Sequence, residues 1–86
     1  MRVRVRLFAR LRDLVGASEI EWGATEGSTV RDVWHDLAVR FPAIVPYEGS
    51  VSCAVNADYA KMSAVVSDGD EVAFLPPVSG GSGTEN

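Results

Sequence analysis

Ser28-Thr29-Val30-Arg31-Asp32-Val33-Trp34-His35-Asp36-Leu37-Ala38-Val39-Arg40-Phe41-Pro42 is the one long stretch of helical periodicity in the chain. Val30, Val33, Trp34, Leu37, Ala38 and Phe41 recur at spacings of three and four and form an apolar stripe, while Arg31, Asp32, His35, Asp36 and Arg40 take the other side. Ser28 or Thr29 is placed to cap the N-terminus, with Asp32 three residues after Thr29 in the manner of a capping box. Pro42 stops the helix near Arg40 or Phe41, because the residue before a proline avoids the α region. Such a helix needs an apolar surface to cover, and the segments around it supply one.

Residues Arg2 to Phe8 alternate strictly, with Val3, Val5 and Leu7 on one side and Arg2, Arg4, Arg6 and Phe8 on the other, which predicts a strand with one buried face. From Ala9 the period changes: Leu11, Leu14 and Val15 fit a short helix closed by Gly16. Ser18 to Trp22 alternates again, with Ile20 and Trp22 inward and Glu19 and Glu21 outward, and is expected to pair with the first strand. Gly23 to Gly27 is a turn-rich connection. After the long helix, Ala43 to Ser50 reads as a loop broken by Pro46 and Gly49. Val51, Cys53 and Val55 alternate as a third strand, Asn56-Ala57-Asp58 turns the chain, and Tyr59 to Ala64 is a candidate edge strand. Asp68-Gly69-Asp70 is a turn signal ahead of a last strand, Glu71 to Leu75. One long helix packed across one face of a mixed sheet of four or five strands is an α+β grasp.

Strand parity carries a further expectation. If Val3, Val5 and Leu7 face the helix, Phe8 faces away. If Val72 and Phe74 are core, Leu75 also points away, so Phe8 and Leu75 are expected to be exposed side by side, and such a patch marks a partner surface.

The 86 residues suit one domain, and with 47% hydrophobic residues it has enough for a single core. A formal net charge of −4 argues against nucleic-acid binding, although Arg2, Arg4, Arg6, Arg10 and Arg12 put five of the eight cations in the first twelve residues, so one face is expected to be locally basic. Cys53 stands alone, without ligand or CxxC spacing, and a reducing, cytoplasmic setting is the default. No apolar run reaches membrane-spanning length, and the N-terminus shows no signal-peptide pattern, so a chain unprocessed at its front end and not bound to membranes is expected.

After Leu75 come Pro76-Pro77-Val78-Ser79-Gly80-Gly81. Two prolines withdraw two backbone donors and favour an extended conformation, so the sheet cannot continue and the chain leaves the body. Side-chain bulk then falls away, and a diglycine can pass through a channel too narrow for a Cβ. The expected organisation is a domain over 1–77 and a flexible tail over 78–86.

Leu7-Phe8-Ala9-Arg10-Leu11-Arg12-Asp13-Leu14-Val15-Gly16, Val55-Asn56, Asp68-Gly69-Asp70-Glu71-Val72-Ala73-Phe74 and above all Pro76 to Gly81 resemble the MoaD/ThiS sulfur carriers, and the MoaD type most of all. The resemblance covers Met1 to Gly81 and implies a ubiquitin-like β-grasp. It also implies a mechanism. An E1-like enzyme uses Mg-ATP to adenylate the terminal glycine carboxylate, a sulfur donor converts it to a thiocarboxylate, and the tail enters the large subunit of molybdopterin synthase to deliver sulfur for the molybdenum cofactor. On that pattern Gly81 is the reacting residue and Gly80 its slim neighbour. The resemblance also implies that the chain has no catalytic residues of its own and binds no cofactor itself. Phe8, Tyr59 and Leu75 form the docking patch, and Pro76, Pro77, Val78 and Ser79 the stem the partners read. A ThiS-like role in thiazole synthesis or other sulfur transfer, and a ubiquitin-like modifier joined to lysines through Gly81, are the alternatives.

One departure matters chemically. Gly81 is followed by Ser82-Gly83-Thr84-Glu85-Asn86, so its carbonyl is an amide without the anionic oxygen that attacks ATP. Removal of these five residues by a processing protease is the expectation; an added remnant, or a copy that has given up sulfur transfer, would also account for them. The remaining polar candidates read as structure. Cys53 shares the parity of core valines and is expected to be a buried thiol. His35 lacks a second ligand at metal spacing. Asp68, Asp70 and Glu71 are turn chemistry. Arg2, Arg4 and Arg6 form a solvated strand face, and Trp22 and Trp34 belong to the core.

Overall fold

A computed structural model describes residues 1–77. Five strands, β1 (Arg2–Leu7), β2 (Glu19–Gly23), β3 (Ser52–Val55), β4 (Asp58–Ala60) and β5 (Glu71–Leu75), form one sheet in the order β2-β1-β5-β3-β4. β1 and β5 are parallel neighbours at its centre, with Leu7 opposite Phe74, and every other pair is antiparallel. Helix α1 (Ala9–Val15) follows β1 directly and ends at Gly16, whose φ of 85° is the left-handed cap a glycine supplies without strain. Helix α2 (Val30–Arg40) is the long one.

The expected cap is present in full, and Thr29 is the cap residue. Its hydroxyl accepts from the Asp32 N–H at 3.3 Å, and the Asp32 carboxylate accepts from the Thr29 N–H at 2.9 Å. The bond from the Thr29 backbone foremost, with the Thr29 side chain adding to it, holds the exposed Asp32 carboxyl below its ordinary range. Val30, Val33, Trp34 and Leu37 are buried, and Trp34 meets Phe74 edge to face with ring centroids 5.0 Å apart. Val3, Val5, Leu7, Cys53, Val72 and Phe74 complete the core from the sheet side, joined by Leu11 of α1. Ala38, Phe41, Ile20 and Trp22 are half-buried at its margin.

Two segments differ from expectation. Pro42–Tyr47 is a 3₁₀ helix rather than a loop, and its Ile44 is fully buried. The proline at its first position suits a helix start, where no N–H is needed, and breaker residues hide such short turns from periodicity. The edge strand β4 covers only Asp58–Ala60. Met62 and Ala64 instead accept hydrogen bonds from the Arg31 and Val30 N–H groups, satisfying two orphan donors at the start of α2. The turn before β4 puts Asn56 and Ala57 at positive φ (51° and 73°), the geometry that matches the twist of a tight hairpin. No helix among the described residues is long and apolar enough to cross a membrane.

Candidate functional site

The face of the sheet away from α2 follows from the register. Arg6 stands opposite Ala73, Ala73 opposite Ala54, and Ala54 opposite Tyr59, which makes one row across four strands. Leu75 and Ser52 begin the next row toward the end where β1 and β5 finish, and Phe8 lies one residue past Leu7 at that same end. Ala73 and Ala54 are small, and Tyr59, 82% exposed, ends their row on β4, while Phe8, 37% exposed, stands past the end of β1. The register places Leu75, Ala73 and Ala54 between these two aromatic residues as an apolar stretch.

Leu75 itself is half-buried rather than exposed. It sits on the inner strand β5, with β1 and β3 about 5 Å away on either side, so flanking side chains cover part of it. Parity fixes its direction correctly but carries no information about how many neighbours a strand has. Ala54, Ala73 and Ser52 do not stand out in the sequence as site residues. The alternation of β3 and β5 places all three outward, and this is the signal by which they could be found. The Arg6 guanidinium stacks over the Phe8 ring at 5.4 Å and bonds Glu71 at 3.2 Å, which holds both side chains against the sheet.

The arginine face is exposed as expected, but it is not basic. Arg2 pairs with Glu21 at 3.1 Å, Arg4 with Glu19 at 3.1 Å, and Arg6 with Glu71 at 3.2 Å, so glutamates from the flanking strands offset each cation. Cys53 is buried and donates its thiol to the Ala60 carbonyl at 3.1 Å, and burial pushes its pKa up, the opposite of what a nucleophilic thiolate needs. His35 faces solvent beside Glu48 at 3.7 Å. Asp68 and Asp70 accept from the Arg2 and Ser67 N–H groups at 2.8 and 2.7 Å, the turn role expected of them. No group of carboxylates, histidines or cysteines among the described residues is arranged to hold a metal.

Pro76 is half-buried and Pro77 exposed, immediately after Leu75. Val78, Ser79, Gly80 and Gly81, with Ser82 to Asn86, lie outside the described residues. The described part of the site is therefore an apolar stretch of the outer sheet face and the root of the tail at Pro76 and Pro77.

The family model described as the ThiS family matches residues 5–81, so the match ends on Gly81. The molybdopterin synthase sulfur carrier subunit of Arabidopsis thaliana is 37% identical over 79 residues, covering 92% of this chain and 82% of that protein. Among solved structures, SAMP1 from Haloferax volcanii superposes with a TM-score of 0.83 at 27% identity, over 94% of this chain and 100% of that one. The BexX/CysO complex of Amycolatopsis orientalis contains a chain matching with a TM-score of 0.70 at 26% identity, over 92% of this chain and 99% of that one. The resemblance read from the diglycine stem and the grasp topology thus holds along nearly the whole described chain, and this protein belongs to the ThiS family, in the company of molybdopterin synthase sulfur carrier subunits.

Proposed function

We propose that this chain is a sulfur carrier of the molybdopterin synthase type, whose Gly81 becomes the reacting terminus once Ser82 to Asn86 are removed. The observation that carries the reading is the relation of two boundaries: the family match ends at Gly81, six residues after the sheet ends at Leu75. Six residues, Pro76 to Gly81, then span the distance from body to terminus. Fully extended they reach roughly 20 Å, enough to enter a partner's buried site while the body docks outside.

The chemistry asks of this chain only a free carboxylate on a slender stem. The Gly81 carboxylate oxygen attacks the α-phosphate of ATP on an E1-like partner, and pyrophosphate leaves. A persulfide sulfur on the donor attacks the activated carbonyl and AMP leaves, and a thiol then cleaves the S–S bond of the resulting acyl disulfide, giving the thiocarboxylate and leaving a disulfide on the donor side. Mg-ATP belongs to the partner. The thiocarboxylate sulfur is then delivered in the large synthase subunit, with Phe8, Tyr59 and Leu75 seating the body. Because catalytic groups reside in the partners, substitutions in this chain act through docking and tail geometry.

A test compares the full chain with one ending at Gly81, each incubated with Mg-ATP and the E1-like enzyme of the same cell. The acyl-adenylate should form on the truncated chain alone. Equal formation on both would overturn the requirement for processing, and formation on neither would overturn the carrier reading. The likeness to SAMP1, a small archaeal modifier protein, favours a second reading in which Gly81 is joined to lysine side chains of other proteins. High-mass conjugates that disappear when Gly81 is deleted would support that reading, and a thiocarboxylate would favour the first.

A further inference from the structure

Charge is distributed unevenly along the strand direction, although the chain as a whole carries −4. At the end opposite the tail, Asp58 lies across from Val55, and Asp68 and Asp70 are tied by hydrogen bonds to the backbone of Arg2 and Ser67. None of the three carboxylates is in an ion pair among the described residues. Toward the tail end Asp13 pairs with Arg12 and Glu48 lies beside His35, while two cations have no such partner. Arg10, in the first turn of α1, comes three residues after Leu7, the last residue of β1, which borders β5 on one side. Lys61 follows Ala60, the partner of Cys53, and so lies level with Ser52 and Leu75 on the other side of β5. Both are exposed, and neither is in an ion pair among the described residues.

We infer that Arg10 and Lys61 form a pair of positive flanks on either side of the tail's exit, and that the protein surface receiving the tail carries carboxylates on both sides of its entry. This rests on the carrier reading only in supposing that the tail is inserted into a partner protein. The geometry supports one kind of occupant. Three strand spacings, roughly 14 Å, separate β1, which leads into Arg10, from β4, which leads into Lys61, and β5 with the root of the stem lies between those two strands together with the apolar stretch of Leu75, Ala73 and Ala54. A partner with an apolar knob between two acidic patches satisfies both features, and the unpaired carboxylates at the far end repel it in the reverse orientation. The charge separation thereby turns the molecule tail first during approach, an effect that acts on association rate more than on residence time. An extended polyanion such as a nucleic acid fits less well, since only two cations face it and the chain is acidic overall.

The first test needs no identified partner. The full chain is titrated at low salt with a glutamate decapeptide while backbone amide resonances are followed. The largest shifts are expected at Phe8 to Arg12, Lys61 and Leu75, and they should collapse in the Arg10→Glu/Lys61→Glu variant. Shifts spread evenly, absent, or centred on Asp58 and Asp68 would overturn the inference. So would a stronger response at the same residues to a single-stranded oligonucleotide of equal charge. The second test measures association with the large molybdopterin synthase subunit of the same cell. The double variant should associate about tenfold more slowly at low salt, with a flatter salt dependence and little change in dissociation rate. An unchanged association rate overturns the inference while leaving the carrier reading intact. Failure of the unmodified chain to bind that subunit counts against the carrier reading, and the peptide titration still decides the charge flanks.

Discussion

The two faces of the sheet are made from alternate residues of the same strands, yet they obey different rules. Toward α2 stand Val3, Val5, Leu7, Cys53, Val72 and Phe74, all buried, each filling space against Trp34, Leu37 or their neighbours. Away from it stand Arg2, Arg4, Arg6, Ala73, Ala54 and Tyr59, where size varies from a methyl to a phenol and charges pair across strands. The inner face holds the fold together, because packed apolar area is what offsets the ordering of a chain this short. The outer face contributes little to stability and is thereby free to be shaped for a partner. A one-residue register slip would exchange the two, so the strict alternation of β1 protects both at once.

That contrast can be broken most forcefully from the inside. Trp34→Ala leaves a large cavity beside Phe74 and should cost about 3–5 kcal/mol in urea unfolding, a large part of the stability of a domain of this size. A loss under about 1 kcal/mol would mean that the inner face does not hold the fold. On the outer face Tyr59→Ala should leave unfolding within about 0.5 kcal/mol while weakening partner binding about tenfold, as measured by calorimetry or surface plasmon resonance. The opposite pattern, stability lost and binding kept, would erase the distinction between the faces.

The boundary of the core offers a subtler probe. Thr29→Ala removes the α2 cap and should cost about 1 kcal/mol. Its pH dependence has a definite sign. The Asp32 carboxyl is held below its unfolded value of 3.8, so its contribution is present above that pH and is lost as pH falls through the depressed folded value. Thermal melts of an Asp32→Ala variant, which lacks the titrating carboxyl, should therefore show a shallower acid decline than the unmodified chain. The smallest effect belongs to the arginine face. Arg2→Ala or Arg4→Ala, each breaking one exposed pair, should change stability by less than about 0.5 kcal/mol, because solvent screens such pairs.

Local periodicity makes most of the fold legible, but not all of it. The long helix, its cap, the start of β1 and the cap at Gly16 depend on neighbours within four residues, and each is readable there, whereas Phe8, read as the last residue of β1, is the N-cap of α1. The 3₁₀ helix over Pro42–Tyr47 is not, because two prolines look like loop punctuation and the burial of Ile44 is a tertiary fact. The arginine face misleads for a related reason. Its partners Glu19, Glu21 and Glu71 come from strands up to 65 residues away, and only pairing reveals that they neutralise it. At the site, parity aims Phe8 and Leu75 correctly, but the half-burial of Leu75 depends on β5 being an inner strand, which no local pattern encodes. The alanine stretch is hard to see in the sequence because small residues announce themselves only by what surrounds them.

The outer face meets the tail at Leu75, and a docking patch there is of use to a sulfur carrier only if Gly81 has a free carboxylate. The most direct test is the intact mass of the protein isolated from its native cell. A chain ending at Gly81, with a fraction carrying one oxygen replaced by sulfur, is the predicted result. A chain retaining Ser82 to Asn86 throughout, with no thiocarboxylate in any fraction, would contradict it.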